Sequence, residues 1–228
     1  MKKISCLFIL LFTISFNAQN KNYYRLIQYA EKTPKSQTKD IAALSKYLAK
    51  GAKTKKELVQ LIYYWISLNI EYDTESFQNN TIENVTAEKT FLNRKSVCNG
   101  YANLFKQICD YSKIKCEVIN GYSKQSNYDE KYLNKTNHAW NAVKISDKWE
   151  FIDVTWGAGG CSEDSNGKLI FKKSLCVRYL LDNPEDFILE HFPENSEWQL
   201  LEKPITMNYF FSSEMELKRI DRDGILIN

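Results

Sequence analysis

The chain predicts an α+β fold, with helices first and an antiparallel β-sheet after them on which they pack. Three observations predict it. Leu58, Leu61, Ile62, Trp65 and Ile66 recur at helical spacing and make one apolar stripe. Tyr101, Leu104, Phe105 and Ile108 make a second, spaced i, i+3, i+4, i+7. Beyond Cys116 the period changes to short runs of β-formers between polar turns, and runs of helices followed by runs of strands mean α+β.

The first element is not part of that fold. Lys2 and Lys3 precede an apolar run from Ile4 to Phe16, closed by Asn17-Ala18-Gln19, the pattern of a cleavable signal peptide. The run is shorter than the ~20 residues that span a bilayer. Cys6 opens it, whereas a lipid-modified cysteine would close it. Export to the outside or the periplasm without a stable membrane anchor is expected, with residues 1–19 removed and 20–228 forming one domain. A chain of 228 residues is enough for one sizeable core.

Residues 20–56 read as helical patches broken at Pro34, and 57–68 as a clear helix. Residues 73–96 are polar, a loop with a short helix near 87–92. A strong helix starts at Cys98. A strand is expected over 116–122, a polar loop over 123–137, and a hairpin of strands 138–145 and 149–155 around Ser146-Asp147-Lys148. Residues 157–160 read as a flexible glycine loop, 169–171 and 177–181 as short strands, and 184–191 as a short helix.

Composition narrows the function classes. The chain is 43% apolar and 26% charged, as ordinary globular proteins are. Without Lys2 and Lys3 there are 29 basic against 28 acidic residues, a net of +1, with no basic block, so nucleic acid is not an expected partner. Removing the leader leaves Cys98, Cys109, Cys116, Cys161 and Cys176, and an odd number in an exported protein points to one free, reactive thiol. The other four can form two disulfides in an oxidising compartment, the pairs nearest in sequence being Cys109 with Cys116 and Cys161 with Cys176. There is no C-x-x-C pair and there are two histidines, so neither a metal site nor a cofactor is expected.

Cys98, His138 and Asp153 are the candidate catalytic residues. A thiol at a helix N-terminus sits at the positive end of the dipole among unpaired N–H groups, which favours thiolate and offers donors to an oxyanion. His138 opens a strand and is the base candidate. If the hairpin loop has two or four residues, Thr155 or Gly157 lies opposite His138, and Asp153 then shares its face. A three-residue loop would put Asp153 on the other face.

The residues also resemble a known family. Ser96-Val97-Cys98-Asn99-Gly100-Tyr101-Ala102, Asn120-Gly121-Tyr122, His138-Ala139-Trp140-Asn141, and Trp149 followed by Asp153-Val154-Thr155-Trp156 resemble the transglutaminase-like superfamily in order and spacing. Pro184-Glu185, His191-Phe192-Pro193 and Trp198-Gln199-Leu200-Leu201 look like its kyphoscoliosis peptidase branch. The resemblance covers roughly residues 57–202. It implies a papain-like fold, a Cys98–His138–Asp153 triad and a thioester acyl-enzyme on a protein or peptide substrate. Water as acceptor makes a protease or amidase, the preferred reading, and an amine makes a cross-linking acyl-transferase. A catalytically idle peptide-binding scaffold is the alternative from another class, although a scaffold would be expected to lose triad residues.

Trp140 and Trp156 are candidates to line the substrate cleft, against the core packing that such aromatics more often do. Asn141 either orients the histidine or holds a turn. His191 is expected to be structural, near a helix end before Pro193. Glu163-Asp164-Ser165-Asn166-Gly167 reads as a plain turn and lacks the spacing of a calcium loop.

Overall fold

The computed structural model describes residues 21–81, 85–124 and 135–223, the last four by backbone alone. The leader read over 1–19 and most of the 123–137 loop lie outside the described residues.

Helix α1 (21–31) ends before Pro34, and a 3₁₀ turn at Lys35–Gln37 leads to α2 (Ile41–Gly51), whose N-cap Asp40 accepts from the Ala43 amide. Thr54 caps α3 (Lys55–Asn69) in the same way. The Leu58–Ile66 stripe lies within α3, which is buried on every side from Leu61 to Ser67, so it runs through the middle of the core. A short parallel pair, β1 (Glu71–Tyr72) with β2 (Lys95–Ser96), brackets α4 (Thr74–Gln78) and α5 (Ala87–Asn93). Arg94, at φ +55°, turns the chain out of α5 into β2.

Helix α6 (Cys98–Tyr111) follows at once. It packs against α2, α3 and α5 on one side and against strands β3 (Cys116–Ser123) and β4 (His138–Ile145) on the other. Gly100 makes the first turn of α6 fit. A Cβ there would overlap the side chains of Ser96 and Thr90.

Strand β4 continues through a two-residue turn, Ser146-Asp147, into β5 (Lys148–Ile152), with pairs running from Ile145↔Lys148 to Asn141↔Ile152. Ser146 has φ +54°, as the first central residue of a tight hairpin requires. Continued beyond Ile152, this register would set Thr155 opposite His138. Strand β5 stops earlier than the expected 149–155. Asp153 turns its carboxylate back on the Thr155 and Trp156 amides and caps a new helix, α7 (Val154–Ala158). The expected glycine loop at 157–160 is therefore the end of α7 and the start of β6 (Gly159–Glu163), which pairs with β7 (Leu169–Lys173). Between them Asp164 Oδ1 accepts from the Asn166 and Lys168 amides, a plain turn.

The last part departs most from expectation. Strand β8 (Leu180–Asp182) is shorter than 177–181 suggested and starts later. Helix α8 stops after Pro184–Phe187, and His191–Pro193 is instead a strand, β9, on the far edge of β3. Three residues are too few to display an alternating pattern, and Pro193 is tolerated because β9 is an edge. The main sheet runs β8-β5-β4-β3-β9, antiparallel throughout. Helices α9 (Met207–Phe210) and α10 (Ser213–Asp223) complete the described chain, packing Phe210 and Met215 with Ile188, Leu189 and Phe192.

All five cysteines of the described chain are free thiols, so the two sequence-neighbour disulfides are not formed. Cys109 and Cys116 are buried side by side, while Cys161 is exposed on β6 opposite Phe171, with Cys176 half-buried beyond the end of β7.

Candidate active site

Cys98 is the first residue of α6, only 8% exposed, packed with Ala102 and Ala139. The other α-helices from α2 to α9 are closed at the N-terminus by a side chain: Asp40, Thr54, Asp73, Thr86, Asp153, Asn183 and Thr206. Helix α6 has Val97 there, and no side-chain cap. The Gly100 and Tyr101 amides bond to the Val97 carbonyl. The earlier amides of that turn are left as donors beside the thiol.

His138, first residue of β4, is buried, and its Nε2 lies 2.6 Å from Asp153 Oδ2. Asp153 is completely buried. Its Oδ1 accepts from the Thr155 and Trp156 amides at 2.9 and 3.0 Å, and its Oδ2 takes a second imidazole, His191 Nε2, at 3.0 Å. Two amides and two imidazoles thus surround one carboxylate. For both rings to bond the same oxygen, each must carry its proton on Nε2. That leaves His138 Nδ1 off the carboxylate, with Cys98 close by; the Cys98 thiol donates to Asn99 Oδ1 at 3.4 Å.

The charges follow from this packing. Burial works against a protonated His138, yet the charge and hydrogen bond of Asp153, joined by those of Cys98, outweigh it and push the imidazole up to about 10. Burial likewise works against the Asp153 carboxylate, but the two imidazoles hold it below the usual carboxylate range. His191 goes the other way. Burial, helped by the charge on His138, overcomes the pull of Asp153 and drives it down to about 4. His191 is therefore neutral at pH 7, and its buried Nδ1 is a lone pair with no hydrogen bond of ordinary geometry. The ligand atoms of His138, Asp153 and His191 lie within 4.8 Å of one another, a spacing a metal ion could also bridge. Two N–H donors on one carboxylate oxygen account for the cluster by themselves.

The two tryptophans separate. Trp140 is 1% exposed and packs with Ile119, Ala142, Phe151 and Phe187, its ring edge-on to His191, so it belongs to the core and does not line a cleft. It sits two residues along β4 from His138 on the same face, the face that α8 covers. Trp156 is half-buried, 5.4 Å from the His138 ring and 4.5 Å from that of His191, and forms part of a cleft wall that also includes His138 and Thr155. Asn141 neither touches His138 nor holds a turn. Its Nδ2 donates to the Ala102 and Glu117 carbonyls and ties β4 to α6.

His191 is the site residue that sequence reasoning set aside as structural. The HFP motif flagged its position, but nothing local to residues 184–193 shows that β9 returns to the open edge of β3 and carries this ring to Asp153.

Comparison with known proteins agrees with the geometry. Residues 42–154 match the family described as the transglutaminase-like superfamily, from α2 to the first residue of α7. The chain is 33% identical over 181 residues to kyphoscoliosis peptidase of Mus musculus, covering 78% of this chain and 27% of that protein. It is 31% identical over 176 residues to the Lim and transglutaminase domain protein ltd-1 of Caenorhabditis elegans, covering 73% and 24%. This chain thus spans about a quarter of each relative's length. A solved structure of a candidate cysteine protease from Cytophaga hutchinsonii is similar over 65% of this chain and 46% of its own, with 23% identity and a TM-score of 0.42. With the motifs around Cys98, His138 and Asp153 in the family's order and the match running through all three, the chain belongs to the transglutaminase-like superfamily.

Proposed function

We propose that this domain is a cysteine hydrolase of peptide or amide bonds, with Cys98 as nucleophile, His138 as base and acid, and Asp153 as its anchor. The observation that carries the reading is the buried His138–Asp153 pair, closed at 2.6 Å, with Cys98 beside it at an uncapped helix N-terminus. His138, which holds its proton up to about 10, carries the thiol's proton on Nδ1 at pH 7, and Sγ bonds to the substrate carbonyl carbon. The carbonyl π pair moves to oxygen, where the uncapped amides at the start of α6 donate to it. Collapse expels the amine, which leaves with the proton from His138, and a thioester remains. Water, deprotonated by the same ring, then releases the acid and restores the thiol. Asp153, held by two amides and His191, keeps the ring oriented and stabilises its charged form.

The decisive experiment is incubation with casein, with and without a labelled primary amine, for the wild type and Cys98→Ala. Fragments from the wild type alone support hydrolysis. Amine incorporation without fragments would redirect the reading to an acyl-transferase. Neither product, with peptide binding retained in the mutant, would mean an idle scaffold. We also propose export, on the leader-like residues 1–19. An N-terminus at Met1 on protein recovered from the producing cells, with none outside the cytoplasm, would refute it.

A further inference from the structure

We propose that the cleft beside His138 is an aromatic subsite that takes a bulky apolar side chain of a peptide substrate, next to the bond attacked; the proposal rests on the hydrolase reading above. The cleft has a volume of about 480 Å³, and Tyr72, Phe77, Trp156, Leu169, Phe171 and Tyr179 form its walls. None of the six is fully buried, and Phe77 is 40% exposed. Their rings form connected groups, with centroids 5.9 Å apart for Tyr72 and Phe77, 6.3 Å for Tyr72 and Phe171, and 5.3 Å for Trp156 and Tyr179. Large apolar faces covered on one side only mark a place where another apolar group is meant to sit.

Two observations identify that group as part of the substrate. First, His138 is itself a wall, so whatever fills the cleft lies beside the reacting atoms. Second, the pairing of Tyr72 with Ser96 sets the opposite wall two residues before Cys98. The cleft therefore has the base on its lining and, on the Tyr72 wall, the strand pair that leads into the nucleophile.

Charge argues for an apolar occupant. Besides His138, Lys124 and Glu163 are the ionisable residues of opposite charge on the lining. The Lys124 ammonium is buried without a hydrogen bond among the described residues, 3.5 Å from the Glu216 carboxylate that offsets its charge and 4.8 Å over the Phe210 ring. Glu163 is at the exposed end of β6. A carboxylate side chain entering between the rings would lose its water among apolar walls, and the nearest positive charge, His138, is already paired with Asp153 at 2.6 Å. Phe171 and Leu169 come from the β6–β7 hairpin, which is outside the main sheet and touches none of the triad's hydrogen bonds, so specificity can change without disturbing the chemistry.

The test is digestion of a proteome-derived peptide mixture by the whole chain, with the flanks of every cleaved bond aligned by mass spectrometry. One position should favour Phe, Tyr, Trp and Leu over Asp and Glu by about tenfold or more. Phe171→Ala should cut that preference at least severalfold. An active enzyme with a flat profile, or one favouring charge at every flank, would overturn the subsite and leave the hydrolase reading intact. If the wild type cleaves nothing, the hydrolase reading fails and the subsite is read separately. NMR titration of Cys98→Ala with N-acetyl-phenylalaninamide should then move the Trp156 indole signal, and N-acetyl-aspartamide should not. No movement with either probe, or equal movement with both, would overturn the proposal.

Discussion

His191 donates to the same carboxylate oxygen of Asp153 that His138 uses, from 3.0 Å and from the edge strand β9. The second donor stops the carboxylate from turning away and adds no charge, because burial keeps His191 neutral at pH 7. In the proposed reaction it would act through Asp153 and touch no reacting atom, the part of a positioning residue.

Replacing His191 separates that role from packing. His191→Phe keeps a flat ring against Phe187, now stacked at 4.0 Å, and deletes the donor. A hydrogen bond to a charged group contributes about 1.5–3 kcal/mol, so kcat/KM should fall roughly tenfold or more. His191 also helps hold the Asp153 carboxyl down, so its loss should move the acid limb of kcat/KM to higher pH. His191→Gln, which restores an N–H donor, should recover part of both. Equal losses in Phe and Gln with an unmoved acid limb would mean a packing role only.

His191 and His138 should tilt folding stability in opposite directions on the two sides of pH 6.5. A folded His191 takes its proton only near pH 4, against 6.5 for an ordinary histidine. Between those values His191 makes stability rise with pH, while the Asp182 carboxyl, pushed up to about 6 by burial, makes it fall, so the His191 part is read as the difference between wild type and His191→Phe. A folded His138 keeps its proton to about 10, so from 6.5 upward the folded chain binds more protons and stability falls. The His191 part of the acid limb is worth up to about 3 kcal/mol, and the alkaline limb about as much or more. Urea midpoints from pH 4.5 to 9.5 measure both limbs, and His191→Phe should flatten the acid one. Midpoints that climb steadily to pH 9 would contradict these assignments.

Iodoacetamide at pH 7 should modify Cys98 before Cys161, although Cys161 is the exposed one. Cys98 sits at an uncapped helix N-terminus beside His138. Partial burial raises the Cys161 thiol and leaves it less thiolate. Peptide mapping against time gives the order, and faster loss of Cys161 would count against an activated nucleophile. His138→Gln should slow Cys98 labelling and leave Cys161 unchanged.

Trp140 and Trp156 should respond in opposite ways. Trp140→Leu removes most of a buried ring from the cluster of Ile119, Phe151 and Phe187, and should cost about 3 kcal/mol and several degrees of Tm. Trp156→Ala strips a half-buried cleft wall and should chiefly raise KM, with a smaller Tm loss. Thermal melts beside steady-state kinetics compare the two. A large Tm loss for Trp156→Ala with unchanged KM would assign it to the core.

How much of this was legible in the sequence depends on the range of each interaction. The apolar stripes of α3 and α6 and the seat of Cys98 at a helix start are local, because a helix displays its buried face every third or fourth residue. The shared face of His138 and Asp153 was nearly as legible, since one tight turn at Ser146-Asp147 sets the parity of the hairpin. The tertiary structure alone decided the rest. Trp140 and Trp156 have the same chemistry, and only the arrival of Phe187 over Trp140 buries one and leaves the other on a wall. Asp153 ends β5 because its carboxylate finds amides ahead of it and two imidazoles beside it, one of them 38 residues away. His191 became part of the site when β9 took the open edge of β3. That pairing joins residues some 70 positions apart, and periodicity, which reports only on near neighbours, carries no trace of it.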